Sequence, residues 1–184
     1  MATCIFHNPD AAGLVIDPAK PMNIPMRTDF SDDFQNEAPP CDRTLYSTLL
    51  GMLIFVIRSR PDVAYAINRL ATRSQHATER DLLAIKRVIH YLNSTAHWEL
   101  VYSASSAHHK DTISKLYAWS DAAYLTHKDS KSHSGTCFAI EENTGKCYAR
   151  SQKLSIVTTS LTEAELGAVF EATKDIMYFR DARP

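Results

Sequence analysis

Three absences bound the reading before any motif does. The 184-residue chain has no excess of basic charge: 20 Lys and Arg stand against 21 Asp and Glu, a formal net charge of -1. A protein-wide phosphate-binding surface is thereby excluded, and any contact with nucleic acid must be local. The four cysteines, Cys4, Cys41, Cys137 and Cys147, form no C-x-x-C pair and have no paired histidines, which argues against structural zinc. The longest apolar run, Leu49 to Ile57, is well short of the roughly 18 residues a membrane span needs. With no signal peptide, the expected setting is intracellular and reducing, cytoplasmic or nuclear, with free thiols and no membrane partner. What remains is an ordinary globular composition, 45% hydrophobic and 22% charged, long enough for one or two cored domains.

Residues 1–41 read as an extended, Pro-rich leader. Pro18, Pro21, Pro25, Pro39 and Pro40 remove backbone donors and bias their neighbours away from the helix, leaving at most a short strand near Leu14 to Ile16. From Asp42 the periodicity becomes helical. Leu45, Leu49, Leu50, Leu53, Ile54 and Ile57 form one stripe, and Val63, Ile67 and Leu70 form another after a first-turn proline at Pro61. Thr78 and Asp81 make a capping-box start for a third helix, whose apolar positions are Leu82, Ile85, Ile89 and Leu92.

Residues 103–114 are small and polar, the mark of a junction, and beyond them the period shifts toward two. Leu116 to Leu125, Gly135 to Ile140 and Lys146 to Arg150 read as strands, with Glu142-Asn143-Thr144-Gly145 as the turn of a hairpin. Ser160 to Glu163 is a capping box that opens a final helix through Ala164, Ala168, Val169, Ala172 and Ile176.

Two acids in this second half stand where divalent-metal chemistry would want them. Asp121 lies mid-strand among small residues, as a metal ligand or as a solvent-facing aspartate near Lys128 or Lys131. Glu163 is committed to the helix cap. Glu165 lies about 200° further around the helix. Ala168 and Val169 follow it at i+3 and i+4, so it is expected to look toward the sheet, as a metal ligand or as a solvated boundary residue. The basic residues Arg69, Arg73, Arg80, Lys86 and Arg87 line the polar sides of the second and third helices. They form either a phosphate-tracking surface or a solvated face with helix-internal ion pairs.

Several strings, in order, carry a resemblance. Tyr46 to Gly51 resembles the tyrosine-to-glycine helix start of Ty1/copia-type retrotransposon polymerase polyproteins, and Ser59-Arg60-Pro61-Asp62-Val63-Ala64 is similar to their Thr-Arg-Pro-Asp-Ile-Ala. Lys86-Arg87-Val88 with Tyr91-Leu92 and Thr95 resembles their Lys-Arg-Ile-Leu-Arg-Tyr-Leu-x-x-Thr. Ser120-Asp121-Ala122, Lys131 to Gly135 and Ser160 to Glu165 complete the series. The resemblance covers about 42–182. It departs at Ala123-Tyr124, where the family has Asp-Trp, and at Leu166, where an aromatic is usual.

The resemblance implies an α+β chain with a helical connection segment at 42–100, the tail of a reverse transcriptase. An incomplete RNase H-like domain would follow at 113–184, an antiparallel three-stranded sheet packed by a helix. It implies Asp121 and Glu165 as catalytic metal ligands for Mg²⁺ or Mn²⁺ in two-metal hydrolysis of the RNA strand of an RNA–DNA hybrid. Arg69, Arg73, Lys86 and Arg87 would contact nucleic acid. The family's next catalytic aspartate would lie on a later strand, so a domain truncated at its C-terminus is expected, with metal binding and catalysis impaired. The other readings are a catalytically inactive polyprotein fragment, a nucleic-acid-binding remnant, or a piece stable only beside its missing reverse transcriptase portion.

Overall fold

A computed structural model describes residues 21–27, 38–102, 116–140 and 142–181. Most of the leader, including the strand expected near Leu14 to Ile16, and the junction at 103–114 lie outside the described residues. The chain divides into two compact units, Met1–Glu99 and Leu100–Pro184.

The first unit is helical. Helix α1 spans Arg43–Val56 and starts where the Asp42 carboxylate accepts the N–H groups of Thr44 and Leu45, at 2.8 and 3.1 Å. Helix α2, Ala64–Thr72, follows a 3₁₀ turn at Pro61–Val63, with proline at the position that needs no N–H donor. Helix α3, Glu79–Ser94, opens on the Thr78–Asp81 capping box. Tyr46, Leu49, Leu50, Leu53, Val63, Ile67, Leu70, Leu82, Ile85, Ile89 and Leu92 share one core. Ile54 departs from the expected stripe. It is exposed, with Met52 and Phe55, on the outer side of α1.

Several polar groups inside this core are matched in pairs. Tyr46 Oη donates to the carbonyl of Leu70 at 2.7 Å, and burial together with the charge of Asp81 pushes its phenol up, so it stays a donor. Arg60 clamps the far end. Its guanidinium reaches Asp62 and both oxygens of Thr95, and it lies over the rings of Tyr91 and Trp98. Burial alone would raise the Asp62 carboxyl, but the hydrogen bonds from Arg60 and Tyr91 outweigh it and hold the group below the usual carboxylate range. The leader is not wholly unpacked: Met22 and Met26 lie against the core, and Pro40 bridges to Thr78.

The second unit is a three-stranded antiparallel sheet in the order β1-β2-β3, with one helix. Strand β1 is Tyr117–Ala123, β2 is Lys131–Ala139, β3 is Tyr148–Val157, and helix α4 is Leu161–Asp181. β2 and β3 run well beyond the expected Gly135 to Ile140 and Lys146 to Arg150. Side chains alternate across the sheet, so register decides which ones meet α4. Ala122, Ser134 and Gln152 line up, as do Ser120, Thr136 and Arg150, and then Ala118, Phe138 and Tyr148.

This is the helix-bearing face. Ala122 packs on Ala164 and Ala168, Arg150 binds Asp175 at 2.8 Å, and Phe138 meets Phe179 edge-on. Small residues on both sides let the backbones of helix and sheet approach closely. Asp175 joins α4 to β3 by accepting from Arg150 and from Tyr148 Oη.

Candidate metal centre at the outer edge of the sheet

Among the described residues strand β1 is an edge strand beside β2, and Asp121 sits on its open face. Because Ala122 faces α4, the preceding Asp121 side chain falls on the opposite face. There it is exposed, and one carboxylate oxygen accepts the N–H of Ala122 at 3.0 Å. Its cross-strand partner is Gly135, where an added Cβ would meet nothing within 4 Å. The space over Gly135, across the strand pair from Asp121, is open.

Helix α4 carries the second acid. The Ser160 hydroxyl caps the helix by accepting the N–H of Glu163 at 3.2 Å. Glu163 reaches back one residue further than the expected box, to the N–H and hydroxyl of Thr159 at 2.6 and 2.8 Å. Those two bonds hold its carboxyl below the usual range. Glu163 is therefore occupied.

Glu165 directly follows Ala164, the residue packed on Ala122, and is half-buried. Gln152 and Arg150 of β3 bind Glu171 and Asp175, which turns that flank of α4 toward β3. Glu165 lies about 120° from Glu171 around the helix, on the flank above the outer edge of β1. It does not lie squarely under the helix, and Val169, one turn on, is exposed. The two acids thus border one strand edge, Asp121 from the open face and Glu165 from the helix flank.

A hard divalent cation takes oxygen donors of this kind. Magnesium needs only one or two carboxylates, with water and substrate phosphate completing its shell. Among the described residues, no three His, Cys, Asp or Glu side chains gather as a metal-holding group. The described part of the edge therefore supplies two acids and no third.

The basic residues expected to meet nucleic acid belong to the helical unit. Arg69 is 3% exposed. Arg73 is half-buried, its Nε 2.7 Å from the Asp81 carboxylate. In the helical unit these two act as packing residues, Arg69 by its burial and Arg73 through its ion pair. Lys86 and Arg87 are half-buried on α3, and the Arg87 Nε is buried with no hydrogen-bond partner among the described residues. Arg80 is exposed.

One buried cluster went unnoticed in the sequence. His127 and His133 stack at 5.2 Å, with His127 Nε2 3.0 Å from His133 Nδ1, and His133 Nε2 lies 2.7 Å from Ser151 Oγ. Together they pin the turn between β1 and β2, where Leu125 and Ser130 adopt positive φ values of 51° and 56°. The available signal was a six-residue spacing across a turn into a strand, which only a known register turns into contact.

Comparison with known proteins agrees with the motif series. Over 161 residues, 87% of this chain, it is 29% identical to the retrovirus-related Pol polyprotein from transposon RE1 of Arabidopsis thaliana. It is 32% identical over 126 residues, 67% of this chain, to the transposon Ty1-LR3 Gag-Pol polyprotein of Saccharomyces cerevisiae. It covers 10% and 7% of those two proteins, so it spans about a tenth or less of the transposon relatives it matches. A third relative is of similar size: secreted RxLR effector protein 161 of Plasmopara viticola is 30% identical over 136 residues, covering 72% of this chain and 89% of that protein. No family model matches the chain, and no solved structure gives a significant match. Among the described residues, no helix is long and apolar enough to cross a membrane. Identity of this extent to transposon Pol polyproteins, over most of the chain, makes it a member of the Ty1/copia-type retrotransposon Pol polyprotein family.

Proposed function

We propose that this transposon-derived chain carries the first two acids of an RNase H-type site, acting on the RNA strand of an RNA–DNA hybrid with Mg²⁺ or Mn²⁺. The observation that carries the reading is Asp121, an exposed carboxylate on an edge strand opposite a glycine with open space over it. Glu165 borders the same edge from α4 and serves as the second metal ligand. The hairpin and helix that hold the two acids, in this order, suit an RNase H-like domain.

In this reading the residues work by position. Asp121 and Glu165 bring negative charge to one edge, and the open notch beside Gly135 admits a backbone phosphate. The Ala122 contact with Ala164 and Ala168 fixes the distance between strand and helix. A bound divalent cation would supply charge neutralisation at the scissile phosphate and a more acidic attacking water. On the helical unit taken by itself, Lys86, Arg87 and Arg80 are the basic residues left to contact phosphates.

Incubation with a labelled RNA–DNA hybrid and Mn²⁺ tests the proposal. The expected result is RNA-strand cleavage that Asp121→Asn reduces about a hundredfold or more, the scale of losing one preorganised electrostatic group. An Asp121→Asn protein with an unchanged circular dichroism spectrum that cleaves at the wild-type rate would overturn it. Salt-sensitive hybrid binding without cleavage would instead identify a catalytically inactive, nucleic-acid-binding remnant.

A further inference from the structure

The face of the sheet that carries Asp121 also carries a line of rings and one lysine. Tyr117, Trp119 and Asp121 alternate onto that face of β1. The rings of Tyr117 and Trp119 lie nearly parallel, 21° apart with centroids 6.2 Å apart. Lys146, from the turn before β3, holds its Nζ 3.4 Å above the Trp119 ring. Tyr102 closes this end by donating its hydroxyl to the carbonyl of Lys146 at 3.0 Å. The Tyr102 ring lies against Gly145, where a Cβ would come within 3.2 Å of it. Trp119 is nevertheless 39% exposed and Tyr102 58% exposed. Folded chains seldom leave such rings together at a surface around a single cation.

We propose that Tyr102, Tyr117, Trp119 and Lys146 form a ledge that grips a nucleic-acid strand and sets which of its phosphates lies over Asp121. This rests on the reading of Asp121 as a nuclease acid. Flat aromatic rings on a sheet face stack bases without regard to sequence, and an adjacent lysine tracks the phosphates between them. Trp119 stands two residues from Asp121, about 7 Å along the strand, and Tyr117 about 13 Å. A strand lying along β1 therefore meets the rings first and the carboxylate next. The ammonium over Trp119 supplies the positive charge that the chain's overall balance lacks. A polyanion is favoured over an apolar protein segment because the patch is centred on a cation.

The chain has two tryptophans, so Trp98→Phe leaves Trp119 as the sole indole emitter. In this background, with EDTA present, a short RNA–DNA hybrid and a single-stranded RNA, each dye-labelled so that anisotropy reads affinity without an indole, are titrated against the full chain. The expected result is quenching of Trp119 on binding and an affinity reduced about tenfold or more in Trp119→Ala. Trp119→Phe, which keeps a ring, restores most of that affinity. Lys146→Gln lowers the slope of log affinity against log salt by roughly one phosphate contact.

Hybrid binding with Trp119 unquenched and affinity unchanged in both the Trp119→Ala and Lys146→Gln proteins overturns the ledge while leaving the nucleic-acid reading intact. Absence of any binding by the unmodified chain overturns both. A Trp119 signal that shifts with protein concentration alone shows a second copy on this face and overturns the ledge.

Discussion

Asp81→Ala is expected to destabilise the helical unit by about 3–5 kcal/mol, the usual cost of removing one partner from a buried ion pair. The Asp81 side chain is fully buried, and three donors converge on it. Its carboxylate accepts the Thr78 N–H and the Thr78 hydroxyl, each at 2.8 Å, and the Arg73 Nε at 2.7 Å. Alanine leaves an unpaired helix N-terminus and a half-buried guanidinium with its charge uncompensated.

Asp81→Asn, which keeps the shape and loses the charge, should cost less. Arg73→Met combined with Asp81→Ala should cost clearly less than the sum of the two single changes. Trp98 lies in this unit and Trp119 in the other, so urea unfolding followed by Trp98 emission in a Trp119→Phe background reads the helical unit alone. A change under about 1 kcal/mol for Asp81→Ala would contradict the packing role assigned to Arg73 and return that arginine to the surface.

Phe138→Ala should have a comparable effect on the second unit, about 3–5 kcal/mol for deleting a buried phenylalanine. Phe138 is 0% exposed, stacks on Tyr148 at 5.1 Å and meets Phe179 of α4 edge-on at 5.6 Å. It is the one large side chain among the small residues that β2 turns toward the helix. Its loss removes much of the packing under the C-terminal half of α4, leaving there the Tyr148–Phe179 ring contact and the bonds of Asp175 with Arg150 and Tyr148. Unfolding read by Trp119 emission in a Trp98→Phe background measures the loss. Hydrogen exchange should show faster opening of α4 around Phe179 than around Ala164. Uniform exchange along α4 would mean that the Ala122, Ala164 and Ala168 contact alone fixes the helix.

The helices were legible because their apolar stripes and caps act locally. Asp42, Pro61, Thr78 and Ser160 each begin a turn within a few residues of where they lie. Exposed positions on the same stripes were not legible. Ile54 and Val169 fall at helical spacing yet face outward, because the width of a packed stripe depends on the neighbour's shape. Arg69 read as a surface cation, whereas the structure buries it, since a long aliphatic stem packs as readily as leucine.

Strand lengths were underestimated for a related reason. Ser132, His133, Ser134, Ser151, Gln152 and Lys153 are polar but lie in strands, their backbones held by the ladder and their side chains by partners across it. The faces of Asp121 and Glu165 needed the register. Knowing that Ala122 packs on Ala164 puts Asp121 on the open side and Glu165 on the flank, which no spacing within either segment reveals.

Paramagnetic broadening by substoichiometric Mn²⁺, followed by NMR on the isotope-labelled chain, tests the central claim most directly. A cation shared by the two acids should broaden the amide signals of residues 120–122 and 164–166 together, and Asp121→Asn should restore both sets. Broadening of only one set, or broadening elsewhere that Asp121→Asn does not change, would show that no shared metal site exists at this edge.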